Sequence, residues 1–203
     1  MKNCVRLLTI LLCLCLLLVG CGEAETPQQE APYTPVGKPD LKVADCYSYT
    51  ENANGTYSYA VEWRGGTTLH SEMQRARPVD FTAMSEDVLM ISGQEGTGTG
   101  ARWARFFNIE NGTDSGLVAW YLAAKDNRVA FIDQRTGNYH VFVCDPFESH
   151  TYIGVYTLAD AIIPDGGDLV KDFAMSEGGV LTVTYVTEKG DKTIEIDLNA
   201  KAE

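Results

Sequence analysis

Histidine is scarce in this chain: His70, His140 and His150 are the only three. No two of them stand at the tight spacing of a zinc-ligand pair, so a histidine-bound metal has no sequence signature. No G-x-S-x-G nucleophile elbow occurs, and no Lys-Ser/Thr pair closes a phosphate-binding loop. Basic residues are few as well. Lys and Arg total 16 against 28 Asp and Glu, a net charge of −12, which argues against nucleic acid as a partner. Long helical periodicity is missing. The longest apolar run, Leu7 to Val19, is about 13 residues, short of the roughly 20 that a membrane span needs.

That run is informative in its setting. Lys2 and Arg6 precede it, and it closes on Leu18-Val19-Gly20-Cys21. A basic start, a short apolar core and small residues before a cut describe a secretory signal. The Cys directly after the small residue resembles the lipobox of bacterial lipoproteins. The resemblance covers this segment alone. It implies that Cys21 receives a diacylglyceryl group, that residues 1–20 are removed, and that the new N-terminus is acylated, as with palmitate. Two or more acyl chains hold a protein stably on a bilayer. The expected location is the extracytoplasmic face of a bacterial cell membrane. Lys2 and Arg6 would leave with the signal, so Lys and Arg fall from 16 to 14 and the mature net charge becomes −14.

Residues 21–40 then read as the lipidated Cys and a tether. Pro27, Pro32, Pro35 and Pro39 stand among Glu, Gln and Thr. Proline favours extended chain, and so little apolar content forms no core. Residues 41–203 form one domain by length.

Within that domain, short runs rich in Val, Ile, Tyr, Phe and Thr alternate with Gly, Asn and Asp clusters, the pattern of strands and turns. In Val180 to Leu198, Leu181, Val183 and Tyr185 share one face, and Ile194, Ile196 and Leu198 share another beyond a turn at Gly190. Similar hairpins start near residues 43, 88 and 129, so the unit recurs every 41 to 51 residues. Leu117 to Leu122 and Tyr152 to Tyr156 read as extra strands, and Leu158 to Ile162 as one short helix stopped by Pro164. The expectation is an all-β fold of antiparallel hairpin repeats, propeller-like, with a β-sandwich or barrel as the alternative. Trp103-Ala-Arg-Phe-Phe107, Arg128-Val-Ala-Phe131 and Leu181-Thr-Val-Thr-Tyr-Val-Thr187 also resemble segments of Gram-positive lipoproteins with short β-repeats. That likeness spans about half the chain and brings no catalytic motif.

Candidate sites follow from residue type. Gly93, Gly96, Gly98 and Gly100 lie between strands rather than before a helix, so they read as a hairpin loop, not a phosphate cradle. Asp165-Gly166-Gly167-Asp168 reads as a solvated turn; calcium is the sharper alternative. Tyr47, Tyr49, Tyr57, Tyr59, Trp63 and Trp103 offer the best binding argument, since Tyr and Trp join apolar area to a polar handle. Cross-strand packing is their plainer use. Arg64, Arg75, Arg77, Arg102 and Arg105 are either a clamp for a carboxylate or phosphate or a set of scattered salt bridges.

Of six cysteines, Cys4, Cys13 and Cys15 lie in the signal and Cys21 at the lipid site. Cys46 and Cys144 remain, in a compartment that permits oxidation. A disulfide would close a loop of about 98 residues and contribute about 4–5 kcal/mol in the chain-entropy model. Two separate buried thiols are the alternative.

No cofactor is implied. The expectation is a lipid-anchored binding or scaffolding module for an envelope protein, peptide or glycan. The alternative is a cell-envelope hydrolase whose site is assembled from dispersed residues, with His140 or His150 beside a carboxylate in a cleft.

Overall fold

A computed structural model describes residues 41–148 and 151–200. The expected signal, Cys21, the tether and His150 lie outside the described residues.

The described chain is all-β and arranged as four antiparallel meanders in sequence order. The first sheet holds β1 (Tyr47–Glu51), β2 (Tyr57–Glu62) and β3 (Thr68–Arg75). The second holds β4 (Asp80–Ala83), β5 (Val88–Gln94), β6 (Arg102–Asn108) and β7 (Thr113–Ala119). The third holds β8 (Tyr121–Lys125), β9 (Arg128–Arg135), β10 (Asn138–Cys144) and β11 (Tyr152–Thr157). The fourth holds β12 (Val170–Met175), β13 (Val180–Thr187) and β14 (Gly190–Asp197). Each sheet contains one of the four expected hairpins. Thr136 and Gly137 both take positive φ, 51° and 83°, and Arg135 pairs with Asn138 across them. This is the tight turn whose twist suits a two-residue hairpin. Asp126 and Asn127 do the same, at φ 47° and 58°, between β8 and β9.

Side-chain alternation explains how the sheets stack. On β5, Leu89 and Ile91 enter one apolar cluster with Tyr59 and Val61, between the first and second sheets. Val88 and Met90 point the other way, into a cluster with Tyr121, Val129 and Cys144 of the third sheet. Ala130, Ile132, Val141 and Val143 then join Leu181, Val183 and Ile196 between the third and fourth. The two middle sheets are thus apolar on both faces. The outer faces of the terminal sheets are polar: Ser48, Thr50 and Ser58 on the first, and Asp172, Thr184 and Glu195 on the fourth. Terminal units of a stacked series need such a face. Among the described residues, no apolar cluster joins the fourth sheet to the first.

One connection departs from the reading of residues 117–122 as a single strand. Trp120 takes φ 53°, rare for a bulky residue. It divides the run into β7, in the second sheet, and β8, in the third. One residue reaches about 7 Å at most, too little to recross a four-stranded sheet. The third sheet therefore begins at the edge where the second ends.

Two expectations are corrected. Leu158 to Ile162 is not helical. Asp160 is left-handed at φ 60°, and its carboxylate accepts a 2.8 Å hydrogen bond from Lys192 Nζ. Ala161 bridges Thr187, and the Ile162 N–H donates to the Val186 carbonyl, so the segment lies along the fourth sheet. The Cys46–Cys144 bridge is also absent. Both thiols are free and 1% exposed, but Cys46 sits between the first and second sheets and Cys144 between the second and third. Cys46 precedes the first strand of the first sheet and Cys144 ends β10 of the third, so the stacking of the sheets puts them in different cores.

Burial pushes the Cys46 thiol up and the Cys144 thiol up to about 11. The thiolate is the nucleophile, so both should react slowly with an aromatic disulfide reagent in the native protein. Two thiols should appear at once in denaturant, provided Cys21 is lipidated. Rapid native labelling of either would contradict this packing. Among the described residues, no helix is long and apolar enough to cross a membrane.

Candidate functional site

The six aromatic candidates lie on or beside β1, β2 and β6. Register puts Tyr49 opposite Tyr59 and Tyr47 opposite Val61, so the four tyrosines share the inner face of the first sheet. Phe81 of β4 is the centre they pack on. Its ring stacks on Tyr47 at 4.2 Å and meets Tyr49 and Tyr59 edge-on at 5.6 and 5.8 Å. Tyr49 also stacks on Tyr57 at 6.0 Å. Tyr59 and Trp103 are buried in the same inter-sheet cluster. Trp63 is half-buried, and its ring lies across Gly112. Most of this aromatic area therefore joins two sheets. Tyr49, 40% exposed, is the member left at the rim. Phe81 carries no sequence signal of its central place, because its partners come from a separate hairpin.

Beside the aromatics, an ionic network fastens β3 to β6. Arg105 bonds both oxygens of Asp114, and its Nη1 lies 3.3 Å from His70 Nε2. His70 Nε2 is also 3.3 Å from Glu72. Glu72 pairs with Arg75, which reaches Glu95 and covers the Trp103 ring at 4.9 Å. Trp103 Nε1 donates to the same Glu95 at 3.0 Å. Burial raises the Asp114 carboxyl, but the Arg105 hydrogen bonds and the Gly116 N–H outweigh it, so Asp114 lies below the usual carboxylate range. Glu72 is lowered in the same way, with Arg75 outweighing burial.

A carboxyl with a depressed folded value contributes stability above its unfolded value, about 3.9 for Asp and 4.3 for Glu. That contribution is lost as pH falls through the folded value. Asp114→Asn should lower the denaturant midpoint at pH 7 and make the acid decline below about pH 4 shallower. An unchanged acid limb would remove Asp114 from the account.

A cleft of about 390 Å³ opens at the end of the second sheet, lined by Arg77, Pro78, Asp80, Ser92, Gly93, Gln94 and Arg102. Its origin is legible on one strand face. Val88 and Met90 of β5 are core residues, and two steps further the same face turns polar at Ser92 and Gln94. Asp80 pairs with Ser92 and Arg102 with Gln94, which brings all four to one patch. The Arg102 guanidinium lies 5.5 Å from the Tyr121 ring centre and 4.5 Å from that of Phe173. Three sheets thus contribute at this point.

The glycine loop frames the cleft and is well tied down. The Glu95 N–H bonds to the Ala101 carbonyl at 2.9 Å, and Thr99 Oγ1 to the Val170 carbonyl at 3.3 Å. Arg77 donates to Gly96 at 3.0 Å, and Gln94 to Gly98 at 3.1 Å. Gly98 has φ 88° and ψ 172°, a region open to glycine alone. Asp168, the end of the acidic turn, lies directly against Gly98. Among the described residues, no three metal-ligating side chains cluster there or elsewhere.

The five arginines divide sharply. Arg64 bonds Asp87 and Glu110 and the carbonyls of Leu41 and Glu86. Arg75 and Arg105 are paired as above. Among the described residues, Arg77 and Arg102 have no carboxylate partner, and both face the same cleft. A larger cleft of about 690 Å³ lies between Leu41 to Ala44 and Ala83 to Glu86, but the arginine in its wall is the fully engaged Arg64.

His140 touches Thr157 Oγ1 at 3.2 Å through Nδ1 and stands opposite Asp133 on β9. It does not line either of these clefts. A comparison with protein-family models, with curated proteins and with solved structures finds no match to this chain.

Proposed function

We propose that this chain is a lipid-anchored extracytoplasmic binding module, held on the bacterial cell membrane through Cys21 and spaced from it by residues 21–40. Its partner is an envelope protein, peptide or glycan. Its four sheets form an open, propeller-like series. The polar outer faces of the terminal sheets support an open series over a closed ring. The observation that carries the binding reading is the cleft at Arg77 and Arg102. It gathers two cations that form no ion pair among the described residues, beside one carboxylate, Asp80, and the neutral hydrogen-bonding groups of Ser92 and Gln94. Such convergence of polar groups in a concave site is the usual form of a recognition site.

A photo-crosslinking residue at Gln94, in the full chain in its own membrane, tests the reading. One or a few envelope components should be captured reproducibly. Capture should fall when Arg102 is replaced by Gln. Capture that is indiscriminate, or equal in the variant, would contradict it.

A hydrolase is the second reading, and one arrangement favours it. Asp133, His140 and Thr157 stand in a row across β9, β10 and β11. Against it, the Asp133 carboxylate accepts from the Gln134 N–H and pairs with Arg135. The row lies on the sheet, and a triad needs a carboxylate hydrogen-bonded to the imidazole. An envelope hydrolase activity that copurifies with the protein and vanishes in Thr157→Val would favour this reading over the first.

A further inference from the structure

We propose that the cleft at Arg77 and Arg102 binds a small carboxylate ligand that also carries a hydrogen-bond donor, a hydroxyl or an ammonium group. The inference rests on the binding-module reading and gives its ligand a chemistry.

The cations are the first argument. In a chain of net charge −12, Arg64, Arg75, Arg105 and Arg135 are paired with carboxylates, and Arg128 is taken up by the Leu198 and Ala200 carbonyls outside any cleft of this kind. Arg77 and Arg102 are held by other means. Arg77 is fixed by the Gly96 carbonyl, and Arg102 by the Tyr121 and Phe173 rings. Stacking occupies the face of a guanidinium and leaves its in-plane N–H groups to bond an oxyanion. A cation held in this way loses little freedom when the ligand arrives.

The second argument is Asp80. It lines the same cleft opposite Ser92. A bare oxyanion would meet its charge. A ligand that presents a donor to Asp80 turns that repulsion into a charge-assisted hydrogen bond. A carboxylate with a donor a few atoms away can present one end to the arginines and the other to Asp80, whereas inorganic phosphate carries its hydroxyl and its charge on one centre and brings the charge up to Asp80 as well. The volume of about 390 Å³ suits one sugar acid or one amino acid. Gln94 and Ser92 supply neutral contacts.

The test uses the full chain purified in detergent, followed by calorimetric titration. The probes are glucuronate, alanine, acetate, glucose and inorganic phosphate. At least one of glucuronate and alanine should bind saturably in the millimolar range. Acetate, glucose and phosphate should bind at least tenfold more weakly. Glucuronate alone would identify a sugar acid, and alanine alone an amino acid or peptide end. Arg102→Gln and, separately, Arg77→Gln should each weaken the bound probe about tenfold or more, with unchanged circular dichroism. Asp80→Asn should narrow the gap between the bound probe and acetate. The proposal is overturned if no probe binds, if acetate matches the others, or if both arginine variants bind as the parent does. Should it fail while Gln94 still captures a partner, the binding module stands and the cleft chemistry falls. Failure of both removes the module reading.

Discussion

Replacing Phe107 with alanine is expected to cost about 3–5 kcal/mol of folding stability, and replacing Phe106 about as much. Both rings are essentially fully buried, at 0% and 1% exposure. They are neighbours on β6, yet they serve different interfaces. Phe107 belongs with Tyr59, Val61 and Leu89 between the first and second sheets. Its ring lies 5.9 Å from that of His70 and 5.6 Å from the Arg105 guanidinium. Phe106 belongs with Met90, Tyr121 and Val129 between the second and third. Hydrogen exchange should separate the two losses. Phe107→Ala should speed exchange chiefly in β1 to β3, and Phe106→Ala chiefly in β8 and β9. Two small losses, or one exchange pattern shared by both variants, would contradict the stacked arrangement.

Cys21→Ala should abolish lipid modification, and either release the protein from the membrane or stall its processing. The expectation follows from the proposed lipobox. Without the thiol there is no site for the diacylglyceryl group, and an unlipidated precursor is a poor substrate for a peptidase that cuts before a modified Cys. The variant should either accumulate with residues 1–20 attached or be released in soluble form. An acidic domain of net charge −14 after processing has no electrostatic attraction to an anionic bilayer that would replace the lipid. Each acyl methylene contributes about 0.8 kcal/mol of membrane affinity, so a chain that has lost residues 1–20 without gaining the acyl chains has little to retain it. A Cys21→Ala protein processed and membrane-bound like the parent would refute the anchor.

The hairpins were legible because a strand declares itself locally. Leu181, Val183 and Tyr185 alternate with Thr182 and Thr184, and Gly137 and Gly190 mark turns. What alternation cannot say is which neighbour each face will meet. Phe106 and Phe107 look alike as letters and part only when sheets on both sides are known. Trp120 hid the boundary between two sheets because apolar residues continue on both sides of it. Its positive φ has no signature when the residue is Trp rather than Gly. Cys46 and Cys144 were sent to different cores by that same two-sided stacking.

The arginines show the same limit at the site. Arg64, Arg75 and Arg105 take their partners from Asp87 in the turn before β5, Glu95 in the loop after it and Asp114 on β7. Their pairing depends on register and on stacking. Arg77 and Arg102 stood out only after those pairs had formed. Period two puts Tyr47 with Tyr49 and Tyr57 with Tyr59, but only the turn register brings the two pairs to one face. That this face lies inside follows from Phe81, which belongs to the next sheet.

The claim on which the account depends is that this domain works outside the cytoplasm on a lipid anchor. The mass of the N-terminal peptide from membrane-extracted protein tests it directly. The account predicts a chain beginning at Cys21, heavier than its sequence by a diacylglyceryl group and, where the amine is acylated, by one further acyl chain. A chain that retains Met1 to Gly20, or that begins elsewhere with Cys21 unmodified, would contradict it.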